Sequence, residues 1–250
     1  MKQANQQSTL NIKIGLLPIL YFCALTGSYA EPTSSLKMEI GKIDWILNEQ
    51  FEDDSWTQRW AVESQGPRVF AENGTLKVRL VSDDQKQAGV TIWLRETLPA
   101  DAVIALTAST DEQVANNACN LNVFVHATEA DGTLLQFGRS GQYSEYHKIP
   151  NYLFTLTGGI TQGWSRARLN PGFALINEEN AIRSDPGRTY SILILIRGNH
   201  IQYFLNGKLL HDYSVDHPLP GGHFGLRTWF SQVNFEQVRI GVYPGKMDEI

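Results

Sequence analysis

An all-β fold, a β-sandwich or jelly roll, is what this 250-residue sequence predicts, and three observations predict it. Short apolar runs that alternate or stay continuous for five to nine residues dominate the chain, and no stretch after residue 50 keeps a helical i, i+3, i+4, i+7 pattern for three turns. Turn dipeptides separate these runs at regular intervals. The composition is rich in glycine and aromatics, with Gly 21, Trp 6, Tyr 9 and Phe 11 against only 3 Met. The length is enough to bury a substantial core without metal or disulfide staples.

The runs follow in order. Leu76, Val78 and Leu80 alternate with Lys77 and Arg79, as a half-buried strand requires. Further strands are expected at Val90–Leu94, Ala102–Ala108, Leu121–Ala127, Leu134–Phe137 and Tyr152–Thr157. Others follow at Trp164–Leu169, Phe173–Ile176, Tyr190–Arg197, Ile201–Leu205, Lys208–Tyr213, Gly225–Phe230 and Val233–Tyr243. Between them lie Asn73-Gly74, Asp131-Gly132, Gly158-Gly159, Pro171-Gly172, Pro186-Gly187, Asn206-Gly207 and Gly221-Gly222. Asn-Gly is the strongest hairpin signal among these, because a type I′ turn needs positive φ at both central residues. No linker, repeat or low-complexity tract interrupts the series. One domain is therefore expected over residues 31–250, its strands lying between about residue 40 and 243.

Residues 1–30 read as an export signal. Lys2 and Lys13 precede or open an apolar stretch from Ile14 to Leu25, no acidic residue occurs before Glu31, and Ser28-Tyr29-Ala30 offers small residues at a cleavage site. The expected product is periplasmic or secreted and has no membrane segment. Cleavage removes two of the 21 basic residues and none of the 26 acidic ones, moving the net charge from −5 to −7. Such a chain lacks the basic footprint of a nucleic-acid binder. It also leaves Cys119 as the one cysteine, expected to be a small core residue. No His-x-x-x-His or His-x-Glu spacing suggests a metal centre, and no cofactor is expected. A structural Ca²⁺ on a loop carboxylate suits a fold of this kind, although no motif marks one.

Two strands carry polar faces. Trp164, Arg166 and Arg168 share one face by period two, with Asn170 at the exit. Guanidinium groups pair with carboxylate or sulfate and an indole stacks on a sugar ring, so this face suits an anionic saccharide. The alternative is a solvated outer face laced with salt bridges. On the other strand Asn120, Asn122, Phe124 and His126 oppose Leu121, Val123 and Val125, which suggests a core side and a cleft side. Tyr143, Tyr146 and His147 precede a Pro-Asn turn and add weight to the cluster; His223, Arg227 and Trp229 are weaker candidates. His200, His211 and His217 lie beside hairpin turns and are expected at the surface. The Glu-x-Asp-x-x-Glu strand of retaining glucanases is absent, since Glu129-Ala-Asp131 is followed by Leu134 in the third place.

The C-terminal third sharpens the fold. Tyr190–Arg197, Ile201–Leu210 with its Asn-Gly-Lys turn, and Gly222–Phe230 with its Gly-Leu-Arg strand resemble concanavalin A-like lectin and glucanase domains. With Tyr146–Gly159 and Trp164–Phe173 added, the chain resembles a concanavalin A-like family of bacterial polysaccharide-utilisation proteins, nearest to the oligosaccharide dehydratases of ulvan degradation. The resemblance implies elimination of water from a terminal uronic acid, giving a 4,5-unsaturated sugar. Such chemistry needs a cation at the carboxylate, a base at C5 and an acid at the C4 oxygen. Arg166, Arg168 and Asn170 suit the first role, His126 or His147 the second, and Tyr146 or Tyr143 the third. Trp164, Asn122, His223 and Trp229 are expected to bind substrate. If C4 carries a glycosidic oxygen, the same chemistry is a polysaccharide lyase reaction. A non-catalytic carbohydrate-binding module and a glycosidase with unfamiliar carboxylates stay open as alternatives.

Overall fold

The computed structural model describes residues 41–112 and 117–244. The export signal expected over residues 1–30 lies outside these residues, as do the outer ends of the expected 31–250 domain. Fifteen strands are described. The first five are β1 (Asp44–Glu49), β2 (Trp60–Ser64), β3 (Arg68–Ala71), β4 (Leu76–Arg79) and β5 (Gly89–Pro99). Then come β6 (Ala102–Thr110), β7 (Leu121–Ala127), β8 (Asn151–Thr157), β9 (Trp164–Asn170) and β10 (Ala174–Glu179). The last are β11 (Thr189–Arg197), β12 (His200–Leu205), β13 (Lys208–Ser214), β14 (Gly221–Trp229) and β15 (Val233–Val242).

These strands build two antiparallel sheets, so the predicted β-sandwich is the fold. One sheet runs β13-β12-β11-β6-β15-β4-β3, with β1 also on β15; the other runs β10-β9-β8-β7-β14-β5-β2. The core lies between them and follows the alternation in the sequence. Tyr190, Ile192, Ile194 and Ile196 of β11 face Leu121, Val123 and Val125 of β7 across a layer that also holds Leu76, Val78 and Phe235. Asn73 and Gly74 have φ of 53° and 70°, and Asn206 and Gly207 have φ of 51° and 79°. Both Asn-Gly hairpins therefore adopt the predicted positive-φ turn.

Strands β1, β2 and β3 were not among those the runs predict. They are only six, five and four residues long, and their polar residues sit at the strand ends instead of alternating with apolar ones, so they lack a period-two signal. The converse error is Leu134–Phe137, which is no strand. Apart from an isolated bridge between Leu134 and Thr128, this segment belongs to the long connection 128–150. Its Leu135 and Phe137 pack on the outer face of the second sheet, so the apolar alternation serves a loop-on-sheet contact. Cys119 is fully buried, as expected. Among the described residues, no helix is long and apolar enough to cross a membrane.

Candidate functional site

The outer face of the second sheet divides into two halves. Over one half the connection 128–150 lies as a cap, its Leu135, Tyr146 and Ile149 closing over Ala61, Trp93, Phe124 and Leu153. The other half is an open cleft of about 290 Å³. That is at the small end of the usual range for small-molecule sites. Its cations are Arg166, Arg168 and Arg227; its aromatic walls are Tyr143, Trp164, Phe173 and Trp229. Its remaining lining is amide and hydroxyl, from Asn120, Asn122, Thr155, Thr157 and Thr161. Among the described residues, no Asp or Glu lines it.

The strands position these groups by their pleat. Trp164, Arg166 and Arg168 reach the cleft together from β9, as the period-two reading requires. Asn122 of β7 and Asn120, just before that strand, hydrogen-bond each other through their amides, at 3.0 and 3.3 Å, which fixes both side chains along the floor. Trp229 donates its indole N–H to the Gln85 carbonyl at 3.0 Å, which orients that ring at the wall.

The three arginines differ in their partners. Arg166 stacks on Trp164, 4.2 Å from the ring centroid, and its Nε donates to the Glu178 carboxylate of its cross-strand partner on β10. Arg168 lies 3.9 Å over Phe173 and donates from Nη1 to the Phe173 carbonyl at 3.1 Å. Arg227 is only 1% exposed. It donates from Nη1 to Thr91 Oγ1 at 2.7 Å and to the Gly141 carbonyl at 2.9 Å, and its guanidinium sits 4.7 Å from the centre of the Tyr143 ring. Its Nε has no hydrogen-bond partner among the described residues. Burial lowers the pKa of both Arg168 and Arg227, yet a guanidinium stays protonated. The floor of the cleft thus holds two cations whose direct contacts are neutral groups, an arrangement that a bound anion would relieve.

Tyr143 and His147 stand edge to face, 4.3 Å between ring centroids, and His147 stacks on Phe173 at 3.9 Å. Burial raises the Tyr143 phenol above its ordinary pKa, against the pull of the neighbouring Arg227, Arg168 and Arg166 charges. Burial, aided by Arg227 and Arg168, lowers His147 to about 4. At neutral pH the phenol is therefore protonated and the imidazole is neutral. His147 Nε2 has no hydrogen-bond partner among the described residues.

Several expected site residues lie elsewhere. His126 is completely buried and its ring packs against Tyr152 in the core. A β-bulge explains this: Phe124 pairs with Gly225 but Ala127 pairs with His223, so Val125 and His126 together oppose Phe224. The extra residue, with φ of 58°, reverses the alternation and turns His126 inward. Tyr146 is fully buried beneath the cap, where its hydroxyl donates to Glu63 Oε2 at 2.7 Å. Asn170 spends its amide on the turn, donating to Asn151 Oδ1 and accepting from the Phe173 N–H, both at 2.9 Å. His223 is buried against the Leu94 carbonyl and Phe137. None of these four lines the cleft, and His147, although it touches Tyr143 and Phe173, is not among the lining residues either. His211, expected at the surface, is fully buried, with Nε2 2.8 Å from Ser165 Oγ. Conversely, Arg227 and Phe173 are site residues whose prominence the sequence does not reveal. A Gly-Leu-Arg strand and a Pro-Gly-Phe turn give no sign of facing the same cleft. Among the described residues, no three His, Cys, Asp or Glu side chains gather where they could hold a metal ion.

The two-sheet antiparallel sandwich is a fold shared with galectin-like and glucanase structures. Residues 85–238 match the family described as a domain of unknown function (DUF6250), and the chain belongs to that family. No curated protein matches the chain. Among solved structures, a protein of unknown function with a galectin-like fold from Bacillus subtilis is 19% identical, with a TM-score of 0.68 over 80% of this chain and 96% of that one. The carbohydrate-binding module CBM66 from Bacillus subtilis is 14% identical, with a TM-score of 0.50 over 73% and 94%. A Bacillus licheniformis β-glucanase is 10% identical, with a TM-score of 0.52 over 79% and 97%. At such identities the likeness is one of fold.

Proposed function

We propose that the protein acts on the acidic end unit of an oligosaccharide, eliminating the C4 substituent of a uronate to leave a 4,5-unsaturated sugar. The observation that carries this reading is the charge of the cleft: three arginines and no carboxylate among its lining groups. A glycosidase needs two carboxylates flanking the scissile bond, which this lining does not supply. Elimination instead needs cations at the substrate carboxylate, to stabilise the enolate-like species formed when the C5 proton leaves. Arg168 and Arg227 supply that charge. Arg166, already paired with Glu178, shapes the wall with Trp164. Asn122 and Trp229 contact the sugar hydroxyls and ring.

With His126 and Tyr146 buried away from the cleft, His147 and Tyr143 remain for the proton transfers. Their protonation states suit the two roles. Neutral His147 takes the proton from C5; the C4–O bond breaks as the C4–C5 double bond forms; and Tyr143 protonates the departing oxygen. With a free hydroxyl at C4 the products are water and the unsaturated oligosaccharide. The CBM66 and glucanase likenesses fit a saccharide ligand, and the cap over half the face favours a chain end over a chain interior.

Incubation with saturated oligosaccharides of ulvan or pectin tests this. The expected result is a rise in absorbance of the conjugated double bond, with loss of 18 mass units and no shortening of the chain. Shortened products would mean lyase action at an internal linkage. A second reading, a non-catalytic saccharide-binding protein, is favoured by His147 Nε2 being buried and His147 lying outside the lining groups. Tight binding with neither signal would establish it.

A further inference from the structure

The cap depends on one buried carboxylate. Glu63 sits on β2, an outer strand of the second sheet, and is 2% exposed. Its Oε2 accepts from Tyr146 OH at 2.7 Å and from Trp93 Nε1 at 2.9 Å. Its Oε1 accepts from the backbone N–H of Gly138 at 2.7 Å and of Arg139 at 2.9 Å. Three of these four donors belong to the connection 128–150, and the fourth belongs to β5. A carboxylate is the one side chain that can accept at both oxygens at once, so all four donors are satisfied by a single group. The backbone confirms how closely the two parts meet. A Cβ at Gly141, where φ is +85°, would come within 2.8 Å of the Glu63 carbonyl oxygen. The Gly141 carbonyl in turn holds Arg227 at the cleft floor.

We infer that Glu63 is the latch that holds the connection 128–150 down as the end wall of the cleft, and that this wall confines recognition to the end of a saccharide chain. The latch stands on its own contacts; the end-selectivity rests on the saccharide reading above and deepens it. Glu63 is a positioning residue. It does not line the cleft, and it acts through Gly138, Arg139 and Tyr146 on the segment that carries Tyr143 and Gly141.

Glu63→Gln keeps the shape of the side chain but turns one acceptor into a donor, so two of the four partners face an N–H₂ group. Hydrogen exchange at the Gly138 and Arg139 amides should accelerate at least about tenfold, while exchange in β11 stays at the wild-type rate. The second arm is the stoichiometry of binding to polygalacturonate of known length, measured by titration calorimetry. The wild-type protein should saturate at one molecule per chain end, and Glu63→Gln at several molecules along each chain. General damage to the fold would lower binding without raising the number bound. Unchanged exchange at Gly138 and Arg139 both in Glu63→Gln and in Glu63→Leu, which removes both acceptors, overturns the latch. A loosened cap with saturation still at one per end overturns its role in end selection, as does wild-type binding along the chain interior. If the wild-type protein binds no acidic saccharide, the functional reading and end selection both fall, while the exchange measurement still decides the latch. Should Glu63→Gln fail to fold, Tyr146→Phe removes one donor and keeps the ring beside Trp93 and Phe124, at 5.7 and 5.3 Å. It should shift the same amides in the same direction by less, and wild-type exchange in that variant counts against the latch.

Discussion

The open and capped halves of the outer sheet face are built from the same strands, and the change between them takes one step along the pleat. On β7 the outward residues pass from Asn122 to Phe124; on β8 their register partners pass from Thr155 to Leu153. On the amide and hydroxyl side of that line lies the cleft, and on the apolar side lies the cap. The sheet is thus a common scaffold, and what differs is which neighbour each half is made to meet. The capped half meets another part of the chain and is paid in burial. The open half meets solvent, and its buried Arg227 and stacked Arg168 keep a positive charge that no described residue in direct contact neutralises.

Substitutions that disturb one half should leave a different signature from those that disturb the other. The largest effect is expected at Phe124→Ala, which opens a cavity among Trp93, Tyr146 and Leu153. It should cost about 3–5 kcal/mol of stability, visible as a fall in unfolding midpoint by chemical denaturation. Next is Arg168→Ala, which should lower turnover of an acidic oligosaccharide by about a hundredfold, with the thermal midpoint nearly unchanged. Arg166→Gln should cost only a few-fold in the same assay, because the Glu178 carboxylate already offsets that charge. Equal losses in the two variants would erase the distinction between a paired and an unpaired arginine. The last effect concerns acid. Burial lowers His126 and His211 to about 4, whereas both titrate near 6.5 when unfolded. Between these values the unfolded chain binds protons that the folded chain does not, so stability should fall as pH drops from about 6.5 to about 4 and level off below. Thermal midpoints across that range check the sign.

How much of this was legible in the sequence differs between the halves as well. Strand alternation and the Asn-Gly turns revealed the sandwich, because burial on one face leaves a period of two that needs no tertiary information. The same period placed Trp164, Arg166 and Arg168 together, and Asn122 with Asn120. It misplaced His126 because one bulge residue reverses the phase, and nothing in Val125-His126-Ala127 marks a bulge. The cap was read as a strand at Leu134–Phe137, since an apolar segment looks alike whether it pairs with a neighbour or lies across a sheet. Glu63 was invisible for a related reason. An acidic residue on a short strand reads as surface until the four donors around it are seen.

The central claim is that the open half recognises a negatively charged sugar through its unpaired arginines. Titration calorimetry of the wild-type protein and of Arg168→Ala with a saturated oligogalacturonide and with its carboxyl-reduced neutral counterpart tests it most directly. The predicted result is binding of the acidic ligand by the wild-type protein, at least about a tenfold loss in the variant, and little or no binding of the neutral ligand by either. Equal affinity for the two ligands, or an Arg168→Ala variant that binds the acidic one as well as the wild type does, would contradict it.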